Sequence, residues 1–173
     1  TLTVNGSTVT SGSASSSIPL SVGANTITAV VTAQDGTTTQ TYTVTVTRAA
    51  SSNADLSNVV LSAGTLSPSF SASTTTYTAT VANATTSLTV TPTKADANAT
   101  ITVNGSTVAS GSASSPIALS VGANTITVVA TAQDGTTTRS YTVVVTRAPS
   151  NNADLGNLVL SGGTLTPTFA AAT

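Results

Sequence analysis

Apolar and polar residues alternate with a period of two along most of the chain. Over 141–146, Tyr141, Val143 and Val145 fall on one face of an extended segment and Thr142, Val144 and Thr146 on the other. Runs of this kind predict strands at 56–62, 65–70 (interrupted by Pro68), 76–82, 87–94, 99–103, 107–110, 116–120, 124–133 and 137–147. Asn104-Gly105 and Asp134-Gly135 stand between such runs, where residues that tolerate positive φ predict two-residue hairpin turns. Val121-Gly122-Ala123-Asn124 predicts a third reversal. Ser and Thr compete with helical backbone bonds, β-branched side chains fit a pleated surface, and the helix formers Glu, Lys and Arg are nearly absent. Seven to nine short strands at this spacing predict an antiparallel β-sandwich.

The pattern recurs. VNGSTV begins at Val4 and Val103, VGANTIT at Val22 and Val121, AQDGTTT at Ala33 and Ala132, and NADL at Asn53 and Asn152, each pair 99 positions apart. Residues 1–74 and 100–173 share 56 identities in 74 positions without a gap. A 99-residue period is too long for a solenoid coil and matches a whole sandwich domain of about 100 residues. The expected organisation is therefore 1–52 as the C-terminal part of one repeat plus linker, 53–149 as a complete repeat, and 150–173 as the N-terminal strands of a following one. That arrangement reads as a window on a longer tandem array, with linkers of about five residues making a stiff rod.

Composition narrows the chemistry. Forty Thr, 25 Ser and 26 Ala make up 91 of 173 residues, and there is no Cys, His, Met, Trp or Glu. Without imidazole or thiolate, the usual catalytic bases, nucleophiles and zinc or copper ligands are missing. A net charge of -1 gives no basic footprint for nucleic acid and no polybasic membrane patch, and no apolar run reaches the roughly 18 residues of a membrane span. The five Asp offer little: calcium takes about six to eight oxygens, and a repeat junction presents one carboxylate, Asp55 or Asp154. Within one repeat Asp55, Asp96 and Asp134 fall in different predicted loops, so no paired-carboxylate site is expected. Lys94, the only lysine, is a weak candidate for an isopeptide cross-link. Threonine rows such as Thr41–Thr47 read as polar outer faces of strands, and the sequons at Asn5, Asn83, Asn98 and Asn104 as chance matches in a Ser/Thr-rich chain. No catalytic, metal-binding or cofactor-binding residue is expected, and no cofactor.

As a set, several motifs resemble the bacterial cadherin-like β-sandwich repeats of large secreted and surface proteins. They are Ala153-Asp154-Leu155 through Leu160-Ser161-Gly162-Gly163-Thr164-Leu165, Thr76-Tyr77-Thr78, Val121-Gly122-Ala123-Asn124-Thr125-Ile126, and Ala132-Gln133-Asp134-Gly135-Thr136 leading to Tyr141-Thr142-Val143. The resemblance implies tandem immunoglobulin-like sandwiches, an extracellular or cell-surface location, a bacterial source, and no particular reaction.

The expected function is a non-catalytic structural repeat of a stalk, adhesin or surface filament whose partners are neighbouring repeats or identical subunits. A variant follows from the partial ends: the front segment of one subunit could lend strands to the unfinished sandwich of the next, with Leu158, Leu160, Leu165 and Phe169 as the inserted apolar residues. This supply omits the strands equivalent to 76–94, so the covalent array is the preferred reading. The alternative is a carbohydrate- or protein-binding accessory module of a secreted enzyme or surface protein; sugar platforms use exposed aromatic rings, and here there are only three Tyr and two Phe.

Overall fold

A computed structural model describes residues 1–170. The described chain is all β, with thirteen strands. The first four are β1 (Leu2–Val4), β2 (Ser7–Thr8), β3 (Gly23–Thr32) and β4 (Thr39–Arg48), in one sheet of order β2-β1-β3-β4. Next come β5 (Leu56–Leu61), β6 (Thr76–Val81), β7 (Ser87–Leu88) and β8 (Val90–Lys94). The last five are β9 (Thr100–Val103), β10 (Ser106–Thr107), β11 (Ile117–Ala118), β12 (Gly122–Thr131) and β13 (Thr138–Arg147).

The segment from β5 to β13 is a complete sandwich. One layer is a five-stranded sheet of order β10-β9-β12-β13-β6, and the other consists of the β5-β8 and β11-β7 ribbons. Between them lies one apolar core, with Leu56, Leu88 and Val90 from one layer facing Ile101, Ile126, Val128, Tyr141, Val143 and Val145 from the other. The alternation expected along 141–146 is met: Tyr141, Val143 and Val145 are fully buried while their neighbours face outward. At about 25 cal/mol per Å² of apolar area, each such Val or Tyr contributes on the order of 1.5–3 kcal/mol by burial. Pairing is antiparallel apart from β13 with β6, which run parallel in the register Thr142↔Thr76 to Arg147↔Val81. The outer face carries threonine rows across strands, as at Thr127, Thr142 and Thr76, which keep it polar without charge.

Residues 1–48 repeat half of this design. Gly23↔Arg48 to Thr32↔Thr39 reproduces Gly122↔Arg147 to Thr131↔Thr138, each residue displaced by 122 − 23 = 99. The inner face of this first sheet has no opposing layer among the described residues. Tyr42 is 57% and Val44 56% exposed, whereas Tyr141 and Val143 are at 0%. Residues 151–170 form no strand, and Leu155 and Leu158 stand exposed. In the complete repeat the matching segment, β5, is held by β8, and the single β8 of the described chain is already engaged.

Three local expectations are revised. The run 65–70 is no strand but a loop with one bridge, Ser67↔Thr78, because Pro68, after a cis peptide bond, has no N–H to give a ladder. The run 87–94 is two strands, β7 pairing with β11 and β8 with β5, so the chain changes ribbon at Thr89. Asn104-Gly105 is the expected two-residue turn, with φ of 48° and 83°, but Asp134-Gly135 lies inside a wider loop that closes through Ala132 N–H to Thr137 C=O.

Candidate functional site

A polar arrangement outside the strand ladders lies where the linker from the first sheet enters the complete sandwich. Its base is the β12–β13 loop. Asp134 accepts through Oδ1 from the amides of Thr136 (2.9 Å) and Thr137 (2.8 Å), and through Oδ2 from the Thr137 hydroxyl at 2.6 Å. These donors favour the charged form, the Thr137 hydroxyl most, and hold the carboxyl at about 2 against an ordinary 3.8. Asp35 repeats the construction with Thr37 and Thr38 and also stands at about 2. Both aspartates thus act as loop staples, with their oxygens occupied.

The linker rests on this loop. Ser51 donates its N–H to Gln133 Oε1 at 3.1 Å, and its C=O accepts from the Asp134 N–H at 3.1 Å. The Ser51 hydroxyl accepts from Asn53 N–H at 3.2 Å and also faces Asp96. Together with the Asn98 amide, it lowers the Asp96 carboxyl below its usual range. Asn53 Oδ1 in turn accepts the Asp55 N–H at 2.9 Å, and Asp55 pairs with the Arg139 guanidinium. A shallow groove of 490 Å³ runs between Ser51, Asn53 and Asp55 on one side and Thr137, Thr138 and Arg139 on the other. The side chains of Asp55 and Arg139 are 41% and 36% exposed, so the pair is a surface one of modest strength, and the hydrogen bond to Asp55, followed by its charge, raises the Arg139 pKa.

This geometry bears on the candidate chemistries. The junction carboxylate Asp55 is taken by a guanidinium, and Asp96 and Asp134 are occupied by main-chain and hydroxyl donors. Among the described residues no three carboxylates come together in a metal-like group. The Lys94 ammonium points at the carbonyls of Ala97 (2.5 Å) and Ala99 (2.8 Å) rather than at an amide side chain. Tyr77 and Tyr141 are buried, Phe70 stacks against Tyr77 at 5.8 Å between centroids, and Tyr42 lies on the exposed inner face of the first sheet. Leu158, Leu160, Leu165 and Phe169 do come together, lining one shallow groove of 390 Å³ whose walls all belong to the C-terminal segment. No sequence motif singled out the Ser51–Gln133 contact. Its only trace in the sequence is that both residues recur in register, as Ser150 and Gln34.

The family model of the cadherin-like beta sandwich domain matches residues 1–49 and 55–148, most of the chain. Among solved structures, the fibronectin(III)-like modules of Clostridium thermocellum CbhA are similar at 18% identity and a TM-score of 0.25. That match covers 75% of this chain and 65% of that one, so this chain spans less than two thirds of its length. No curated protein matches the sequence.

Proposed function

The chain belongs to the cadherin-like β-sandwich family, and we propose that it is a non-catalytic structural module, a spacer repeat in an extracellular stalk, adhesin or surface filament. The observation that carries this reading is the recurrence of one sheet in identical register on either side of a five-residue linker whose polar groups are engaged by the following sandwich. Such a unit transmits length and direction. The outer face of the complete sandwich bears hydroxyls and few charges, which suits a passive shaft that does not repel its copies. The absence of any imidazole or thiol, together with the engagement of the carboxylates, supports a non-catalytic role. The glycan-binding alternative finds less support, because the rings of the complete repeat are packed into its core.

Between the two modes of assembly, we infer a covalent array over strand exchange. A donated Leu155–Leu160 segment would lack the β8 equivalent that holds β5 in the complete repeat, and so would lie on the open sheet without backbone partners. Neighbouring repeats are accordingly the first partners, and a surface location follows the habit of the family. Negative-stain imaging tests the reading: regular rods or fibres are expected, whereas compact particles that bind glycans on an array would overturn it.

A further inference from the structure

We propose that Gln133 and Asp134 of a repeat form the receptor for the linker that enters that repeat, and that this main-chain clamp, rather than a bound cation, fixes the angle between consecutive repeats. The proposal rests on the stalk reading and supplies its missing part, the surface through which a rod is kept straight. The partner is a Ser-x-Asn-Ala-Asp segment.

Three observations carry it. Ser51 is gripped through its N–H by Gln133 and through its C=O by Asp134, while its hydroxyl holds the linker turn by accepting from Asn53 N–H. Only Ala49 and Ala50 then separate the clamp from Arg48, the last residue of β4, so the relative direction of the two sheets rests on the four soft dihedrals of two residues. Second, the linker takes its shape without the receptor. At the next junction Asn152 N–H donates to Ser150 Oγ at 3.2 Å and Asp154 N–H to Asn152 Oδ1 at 2.7 Å. This is the same turn as Asn53 to Ser51 and Asp55 to Asn53. A preformed segment loses little freedom on docking. Third, the receptor recurs: Gln34 and Asp35 sit in the first sheet at 133 − 34 = 99 residues from their counterparts, with the same hydroxyl and amide staple on the aspartate. Linker and receptor are thus both built into the repeat. The carboxylates that a cation would need are already occupied, Asp55 by Arg139 and Asp134 by Thr136 and Thr137.

The chain has no cysteine, so spin labels can be placed on the full-length protein at Thr43→Cys in β4 and Thr80→Cys in β6, both exposed, and their distance distribution measured by pulsed electron resonance. The clamp predicts a narrow distribution that is indifferent to millimolar calcium or to chelator, and that widens about twofold in Gln133→Ala as the linker turns into a flexible tether. Ser51→Pro, which removes the N–H given to Gln133, widens it likewise. Gln133→Ala decides the matter, because it leaves the backbone free to keep its fold, which a circular-dichroism melt verifies. Equal, narrow widths in wild type and Gln133→Ala would overturn the clamp and leave the stiff stalk standing. A distribution already broad in the wild type would overturn both. Narrowing only on addition of calcium would overturn the claim that no cation is needed.

Discussion

Tyr141→Phe isolates the contribution of one oxygen atom in the core. The Tyr141 hydroxyl accepts the Leu56 N–H at 3.0 Å and donates to the Ala72 carbonyl at 3.2 Å. It thereby ties the first residue of β5 to the middle of the opposite sheet. Leu56 is at 0% exposure, so removing the hydroxyl strands a buried amide, at a cost of about 1–3 kcal/mol. Ala72 is only half-buried and its carbonyl can turn to water, which places the expected loss near 2 kcal/mol. The phenyl ring keeps its packing against Phe70, 5.9 Å away between centroids, so the loss is almost purely polar. For a sandwich of this size that corresponds to a fall in Tm of about 8–16 °C. The chain carries its own control: Tyr42 occupies the equivalent place, 141 − 42 = 99, is 57% exposed, and its hydroxyl has no hydrogen-bond partner among the described residues. Tyr42→Phe should therefore stay within about 0.5 kcal/mol. Urea unfolding followed by circular dichroism is the assay, with the slope m unchanged in both variants. If Tyr141→Phe lost no more than Tyr42→Phe, the hydroxyl would not be the tie described, and the reasoning would fail.

Gly64 has φ +78°, and a Cβ there would meet the Thr80 carbonyl oxygen at 2.9 Å, whereas Gly105 at φ +83° faces open space. Gly64→Ala should then destabilise by about 1–3 kcal/mol or more, against about 1 kcal/mol for Gly105→Ala; equal urea midpoints would contradict this. Asp35 and Asp134 have folded-state values near 2, below their ordinary 3.8, so their contribution to stability is present above about pH 4 and disappears as the pH falls through about 2. Carboxyl carbon chemical shifts should titrate there, and Asp134→Asn should flatten the acid limb of a Tm-versus-pH curve. Ser51→Ala takes away the leading cause of the lowered Asp96 value, so the Asp96 titration should move upward, and an unmoved midpoint would place the hydroxyl elsewhere. Arg139→Gln, which installs the residue found at the equivalent position 40, should lower the urea midpoint only slightly, an effect that fades with added salt.

Strand identity was legible wherever one face is core and the other solvent. The alternation in β6, β12 and β13 fixes which side chains are buried, because a slip of one residue would turn Tyr77, Ile126 or Val143 outward. Connectivity between layers was less legible. The parallel seating of β6 against β13 joins residues more than 60 apart, which no local period encodes. The break at Thr89, where the chain leaves one ribbon for another, lies inside an unbroken β-favouring run. At the junction, Asp55 was visible as the sole carboxylate, but its partner was not, since Gln40 stands where the other repeat has Arg139. The Ser51 clamp was hidden for a different reason: Gln133 Oε1 is the sole side-chain atom in its two central bonds, the other three groups being main-chain ones of Ser51 and Asp134, which leave no signature in side-chain patterns.

Near-identity between repeats creates an ambiguity that the linker resolves. Residues 1–48 and 100–147 share 39 of 48 positions, so the layer that contains the β5-β8 ribbon is nearly as complementary to the first sheet as to its own. For that layer to fold back onto the first sheet, Asp55 would have to sit beside Gln40, as it now sits beside Arg139. Gln40 lies eight residues up β4 from Arg48, a distance of about 27 Å at the rise of an antiparallel strand. The seven steps from Arg48 to Asp55 reach at most about 25 Å fully extended, so the two side chains could meet only across a linker drawn nearly straight. The backward sandwich therefore demands a taut linker, while the forward one needs no such extension, since Ser51 already rests on the loop at the far end of β12. A short linker thus does two things that sequence divergence does in other tandem proteins: it favours pairing of each front layer with the sheet that follows it, and it delivers Ser51 to the Gln133–Asp134 loop of that sheet.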